Sequence, residues 1–292
     1  MTKKGKQLSD IDKPIYRYWQ ALYQSFFNPQ VYVDVAKRWR GLGINYLLLV
    51  IFIFSIPFAI RFILEFNQFF QDKMVQPISA LPTLYIQNGK VSLDKPMPFI
   101  IKNKQGQVAA IVDTTGVVKT MDGKYPELAI LITQDRLFLR LPTSNFFFSP
   151  KETPNTANNI QVYPFSDKAN SVFIGKEWVK TSGIQNLKLF FGILIYPTMA
   201  LVAFGAFLVF ILAIALMAQF IARLFFKISI TYKQACRLLI VSLTPFMLVF
   251  WTLLAFGTIS GTYTFFLPLL MFTYFCYAVL ALKRESHKLV RS

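Results

Sequence analysis

The sequence predicts an α-helical integral membrane protein with four transmembrane helices and an inserted, mostly-β extracytoplasmic domain between spans 1 and 2. Three observations predict it. The chain of 292 residues is 54% hydrophobic with a mean hydropathy of +0.46 and only 15% charged residues, against about 25% charged in a soluble domain. Its apolar residues collect into long charge-free runs. Between the first run and the others lies a stretch of about 120 residues of ordinary polar composition.

Ile44 to Ile60 carries no charge, and the run reaches Leu64 if Arg61 snorkels. At 1.5 Å per residue a 21-residue helix covers roughly 31 Å, the thickness of a hydrocarbon core of about 30 Å. Arg61 and Glu65 stand four apart, at pairing distance on a helix. Leu238 to Thr258 and Thr262 to Leu282 are two further runs, separated by Ile259, Ser260 and Gly261, so a tight helical hairpin is expected. Leu189 to Ala222 holds 34 uncharged residues, roughly 51 Å as one helix and about 20 Å beyond one crossing. It is either one long helix or two short crossings.

Charge placement separates those alternatives. Arg223, Lys227, Lys233 and Arg237 follow the long run, and Lys283, Arg284, Lys288 and Arg291 follow the last one. The segment before Ile44 holds eight Lys/Arg against three Asp. Four spans put all of these basic segments, and both termini, on the cytoplasmic side, whereas five would turn two clusters outward. The expected crossing lies near Thr198 to Ala222, led into by a helix around Ile184 to Tyr196, with Pro197 as the kink. The divisions are a cytoplasmic amphipathic basic segment over 1–43, transmembrane helix 1 over 44–66 and the extracytoplasmic β-rich domain over 67–186. A long kinked transmembrane helix 2 over 187–226, a cytoplasmic basic loop over 227–237, helix 3 over 238–258, helix 4 over 262–282 and a cytoplasmic tail over 283–292 complete them.

Met1 to Gly43 lacks the apolar core and small-residue cleavage site of a signal peptide, so span 1 is expected to stay as an uncleaved anchor. Ile15, Trp19, Leu22 and Phe26 recur at helical spacing, and Asn28-Pro29 forms an N-cap signal for a second helix bearing Val31, Val35 and Trp39 on one face. These faces lie along the inner leaflet or pack on the cytoplasmic ends of the spans; both alternatives stand. The net charge of +17 fits partners in the lipid bilayer and its anionic headgroups rather than nucleic acid.

The 67–186 stretch is patterned as short strands. Thr83–Gln87 and Lys90–Leu93 flank Asn88-Gly89, a strong hairpin signal. Phe99–Lys102 and Gln107–Val112 flank a second turn, and Ala129–Thr133 and Leu137–Leu141 a third. Ile160–Phe165 and Ser171–Ile174 follow. A small antiparallel sheet or sandwich is expected, with Ser149 to Asn159 as a polar loop.

Reaction signatures are sparse. Cys236 and Cys276 have no metal-ligand spacing, and the β-rich stretch has no cysteine. The single histidine, His287, stands among basic residues near the C-terminus without a triad partner. No zinc motif, P-loop or dinucleotide fingerprint occurs, so no metal and no cofactor is expected. Ile111 to Gly116 (IVDTTG) is similar to the Asp-Thr-Gly loop of aspartic proteases, in which two carboxylates share a proton, yet it has an extra Thr and no second copy. The preferred reading is a strand end and turn, with Asp113 bonding backbone amides and Gly116 at positive φ. Ligand- or partner-contacting candidates are Asp113, Thr114, Thr115 and Asn88. The spans carry hydroxyls and Pro245 and Pro268 but no interior ionisable group, which transporters usually have.

Four segments carry a family resemblance: SFFNPQVYVDVAKRW before span 1; LPTLYIQNGKVS with the strand Lys95–Ile100; IVDTTG with ILITQDRLFL; and YKQACRLLIVSLTP in the closing spans. The chain resembles, from about Tyr18 to Leu282, the bacterial domain of unknown function 1189 family, some of whose members are labelled MalA-like proteins of maltodextrin utilisation. The resemblance implies a bacterial cytoplasmic (inner) membrane location, a fold-level analogy to the Yip family, and no catalytic residues. The expected function is non-enzymatic: binding of an envelope or membrane protein partner or ligand through the extracytoplasmic domain, as an envelope or transport accessory. The alternative is an oligomeric transport component or channel built from the proline-bearing spans of a homo-oligomer. A third reading, a hydrolase, requires a dimer that pairs two copies of Asp113.

Overall fold

The computed structural model describes residues 13–121, 125–140, 160–258 and 261–291, with side chains described throughout except at 261–265 and 287–291. The expected polar loop at Ser149–Asn159, the Ile259-Ser260 turn and the His287 side chain lie outside the described residues. The chain divides into two compact units, Met1–Arg61 with Ile195–Ser292, and Phe62–Leu194.

The helices are α1 (Tyr18–Gln24), α2 (Pro29–Arg38), α3 (Ile44–Phe54), α4 (Ile56–Phe70), α5 (Gln76–Ser79), α6 (Gly175–Thr181), α7 (Ile184–Phe226), α8 (Tyr232–Phe256) and α9 (Gly261–Arg291). Three helical stretches, α7, α8 and Phe266–Ser286 of α9, are long and apolar enough to cross a membrane, and α3 with α4 makes a fourth if that pair counts as one span. A β-sheet region lies between α5 and α6 in sequence.

Span 1 departs from the single helix expected over 44–66. It breaks at Ser55, and the two halves meet at 49°. Pro57 accounts for the break: its ring excludes an N–H and collides with the carbonyl four residues back, that of Ile53. At the break the Phe52 carbonyl accepts from the Tyr196 hydroxyl at 2.6 Å. Pro197, by contrast, stands inside one continuous helix of 43 residues. The segment expected as a tail, 283–292, instead continues α9 to Arg291.

In the first unit α2 packs on α8 and α9, so of the two alternatives for its apolar face, packing against neighbouring helices is the one observed. Asn28 caps α2 by accepting from the Gln30 N–H at 3.0 Å. Asp34 is 2% exposed and accepts from the Ile15 and Tyr16 N–H groups at 3.0 and 3.1 Å, so it ties the chain ahead of α1 to α2. Helix α1 buries only Ala21 and leaves Trp19 and Tyr23 exposed.

The second unit carries β1 (Leu84–Gln87), β2 (Lys90–Ser92), β3 (Phe99–Lys102), β4 (Val108–Val112), β5 (Ile130–Ile132), β6 (Arg136–Arg140), β7 (Ile160–Pro164) and β8 (Ser171–Phe173). They form a three-stranded sheet, β2-β1-β8, and a five-stranded sheet, β3-β4-β5-β6-β7. Every pair is antiparallel except β4 with β5, which run parallel, so the purely antiparallel expectation is corrected at that pair. The connection between them is long enough for a crossover, which a parallel pair requires. Period-2 alternation gives the five-stranded sheet two apolar faces. Ile130 and Ile132 face Leu84 and Leu81, while Leu131 packs with Ile111, Met121 and Leu128 on the other side. A π-helical turn (Gln71–Val75), α5 and α6 stand where the sequence reading placed only strands and loops.

Candidate functional site

The loop at Asp113 follows β4, whose last residues are held by pairing with both β3 and β5. Asp113 is fully buried. One carboxylate oxygen accepts from the Thr115 N–H at 2.9 Å and the Thr115 hydroxyl at 2.6 Å, and the other accepts from the Val118 N–H at 2.5 Å. Gly116 takes φ 82° to bring the chain back over the carboxylate. Burial pushes the Asp113 carboxyl up, but the bonds from Thr115, Val118 and Val117 outweigh it and hold it below the ordinary aspartate value. The carboxylate therefore organises its own loop. Thr114 is half-buried beside it, and Thr115 is exposed but spends its hydroxyl on Asp113.

Asn88 lies elsewhere, at the tip of the β1–β2 hairpin in the three-stranded sheet. Asn88 and Gly89 have φ of 50° and 72°, the two positive values that a two-residue hairpin turn of this twist requires. The turn is braced by its neighbours: the Asn88 N–H donates to Asn170 Oδ1 at 2.9 Å and the Gly89 N–H to the Ala169 carbonyl at 3.2 Å. Asn88 and the Asp113 loop thus belong to different sheets, and no hydrogen bond among the described residues joins them.

What the unit does enclose is apolar. A cavity of about 270 Å³ lies between the sheets, lined from β1 by Leu84 and Ile86, from β5 and β6 by Ile132 and Leu139, and from α5 and α6 by Ile78 and Trp178. Strand alternation was readable in the sequence, but the cavity depends on how far apart two sheets stand, which no local pattern encodes. Trp178, 40% exposed at its edge, sits in the helix that strand signals missed.

Charged groups in this unit serve structure. Arg140 donates to the Pro126 carbonyl at 3.1 Å and the Met121 carbonyl at 3.3 Å, tying down the segment before β5. Burial lowers its pKa, and Glu127 partly opposes that. Lys73 pairs with Glu127, and Lys104 with Asp72 at 2.9 Å. Among the described residues no group of three or more His, Cys, Asp or Glu is placed to hold a metal ion.

Comparison with known proteins places the chain. A family model described as a protein of unknown function (DUF1189) matches residues 19–282. An uncharacterised protein of Rickettsia prowazekii (strain Madrid E) is 25% identical over 167 residues, covering 53% of this chain and 54% of that protein. The match thus spans about half the length of that relative. No solved structure matches the chain. Since the family model spans nearly all of the sequence, from the start of α1 to the apolar part of α9, the chain belongs to the DUF1189 family.

Proposed function

We propose that the protein is an integral component of the bacterial cytoplasmic membrane, with both termini in the cytoplasm and the β-rich unit on the far side. There the unit binds a partner or ligand and catalyses no reaction. The observation that carries this reading is the contrast inside that unit: the one protease-like carboxylate, Asp113, is committed to its own turn, whereas an apolar cavity stands between the sheets. A concave apolar site with few polar groups is the usual form of a binding pocket. The placement is supported by basic residues before α3, between the apolar parts of α7 and α8, and in the C-terminal part of α9, the distribution expected of cytoplasmic segments. The exposed apolar side chains of α7, among them Val202, Val209 and Leu216, support burial in lipid or against another chain.

The test is a pull-down in mild detergent with mass spectrometry, comparing the full chain with a version lacking Pro77 to Ser182. A specific envelope or membrane protein lost with the deletion supports the reading. Recovery of the same partners by both versions overturns it. Far-side placement is tested by an impermeant maleimide on intact cells carrying Thr115→Cys in a background without Cys236 and Cys276; failure to label would place the unit inside.

One observation favours transport as a second reading. The Ser242 hydroxyl is fully buried and has no partner among the described residues. It stands one turn before Pro245, whose missing N–H leaves the Val241 carbonyl without its helical donor. Solute flux in proteoliposomes, abolished by Ser242→Ala, would support this reading against the first.

A further inference from the structure

We propose that the cavity between the sheets takes one hydrocarbon chain of a bilayer phospholipid, with the headgroup left outside. This deepens the reading of the β-rich unit as a binding domain and rests on it.

The lining selects the chemistry. Ile86, Ile132, Leu139, Phe165, Phe173 and Trp178 are representative, and every other lining residue is aliphatic. A sugar, a peptide backbone or an anion would lose its hydrogen bonds to water there and regain none. A free fatty acid would find no buried partner for its carboxylate, so the polar end of any occupant must stay at the mouth. Trp178, partly exposed, is the type of side chain that sits where apolar and polar surroundings meet.

The size selects one chain. An apolar cavity of about 150 Å³ holds benzene, so six carbons scale to roughly ten or eleven in this one. A volume of about 270 Å³ therefore accepts the distal part of a single acyl chain and excludes two. The cavity is open at one side, so left empty it holds an almost wholly apolar lining against water, at a cost that grows with the apolar area exposed. An abundant apolar occupant removes that penalty.

The surroundings select the source. Ile78 lines the cavity and also packs, as does Phe66 of α4, against the cluster of Phe70 of α4, Val75, Val179 of α6 and Ile184 of α7. That cluster is the cavity's link to the two apolar helices within the same unit. Beyond Ile184, α7 exposes Leu189, Phe190 and Ile193 at 57–65%. They stand five to nine residues on, or roughly 8–14 Å along the helix. Chains of one leaflet span about 15 Å, half of a ~30 Å core. A chain lying beside this start of α7 is within reach of the cavity.

The experiment uses the full-length protein in nanodiscs containing a phospholipid with a diazirine near the end of one acyl chain. After irradiation, adducts are mapped by mass spectrometry. Adducts are expected on peptides containing Ile86, Leu139 and Phe173, in addition to those on the spans. Leu139→Trp fills the cavity and should lower those adducts by about tenfold, because a filled core has no room for the chain, while adducts on α8 and α9 persist. Resistance of the β-rich unit to trypsin checks folding; if Leu139→Trp loses it, the smaller change Ile86→Phe takes its place. Adducts confined to the spans overturn the proposal, as does undiminished labelling of the lining in a folded filled variant. Labelling of the lining by a diazirine fatty acid but not by the phospholipid overturns the bilayer source. A protein partner recovered through the unit, without lining adducts, overturns this inference and leaves the proposed function standing. Lining adducts on a unit that external maleimide cannot reach do the reverse for its far-side placement.

Discussion

Arg61 Nη1 donates to the Ala255 carbonyl at 2.9 Å and lies 3.4 Å from that of Leu254, so a side chain from α4 caps the C-terminus of α8. A cation there meets carbonyls of the last helical turn and the negative end of the helix dipole; the Leu254 carbonyl also accepts from the Gly257 N–H at 3.0 Å. Gly257 ends α8 in the left-handed region at φ 67°, and a Cβ at that position would stand 2.5 Å from Arg61 Nη1.

Those two residues should therefore be energetically coupled. Arg61→Met is expected to cost about 1–2 kcal/mol through the lost charged hydrogen bonds. Gly257→Ala should cost about 1 kcal/mol for its backbone alone, and more in the presence of Arg61, which the new methyl displaces. In the Arg61→Met background only the backbone cost remains, so the two changes together should cost less than their sum. Thermal unfolding in nanodiscs measures all four proteins; strict additivity would refute the coupling.

The β1–β2 hairpin yields a sharper stability prediction. Gly89 combines φ 72° with a Cβ position 2.8 Å from the Ser166 carbonyl. Gly89→Ala therefore meets both backbone strain and an immovable backbone atom, and should cost about 2 kcal/mol or more. Asn170→Ala removes the acceptor of the exposed Asn88 N–H, which water replaces, and should cost about 0.5–1 kcal/mol. Limited proteolysis of the three-stranded sheet ranks them; equal sensitivity in both would refute the close-approach account.

Local patterns carried much of this fold, and the residues show why. Asn88-Gly89, alternation through RLFLR, and the Asn28-Pro29 cap are short-range signals, and each element formed within two residues of its expected bounds. The break at Ser55 was equally local, but the apolar composition of Ile44 to Leu64 hides what Pro57 does to its helix. The parallel pairing of β4 and β5 was not legible, because strand direction is set by where a long connection returns. The Asp113 turn was readable from Asp, Thr and Gly spacing. The cavity was not, since Ile78, Ile132 and Trp178 lie far apart in sequence and only tertiary packing brings them to one space.

The exposed ridge on α1 predicts contact with the membrane surface. Trp19 and Tyr23 stand four apart on α1, and with Ile15 just before the helix and Phe27 just after it they are 58–84% exposed apolar side chains, in a segment that also carries Lys13 and Arg17. In a version retaining Trp19 and replacing Trp39, Trp178 and Trp251 with Phe, brominated lipid should quench the fluorescence strongly, as for an indole at the interface. Phe27→Ser should reduce quenching while leaving the thermal midpoint unchanged. Full exposure of Trp19 to an aqueous quencher in nanodiscs would place the ridge off the membrane.

Asp113→Asn separates a structural carboxylate from a functional one. The change keeps the acceptor facing Thr115 only by turning an amide N–H₂ toward the Val118 N–H, or the reverse, so one partly buried donor loses its partner. The expected cost is about 1–3 kcal/mol. The wild-type carboxyl is held below the ordinary aspartate value of 3.8, so its folded form binds a proton less readily than its unfolded form. Its contribution to stability is fully present above that ordinary value and is lost as pH falls through the lower folded value. The stability difference between wild type and Asp113→Asn should thus be constant near neutrality and shrink in acid below about pH 4. Chemical unfolding across that range measures it. If the difference instead grew on acidification, the carboxylate would be bound more tightly to its proton in the folded state, and its three donors would not be what holds this loop.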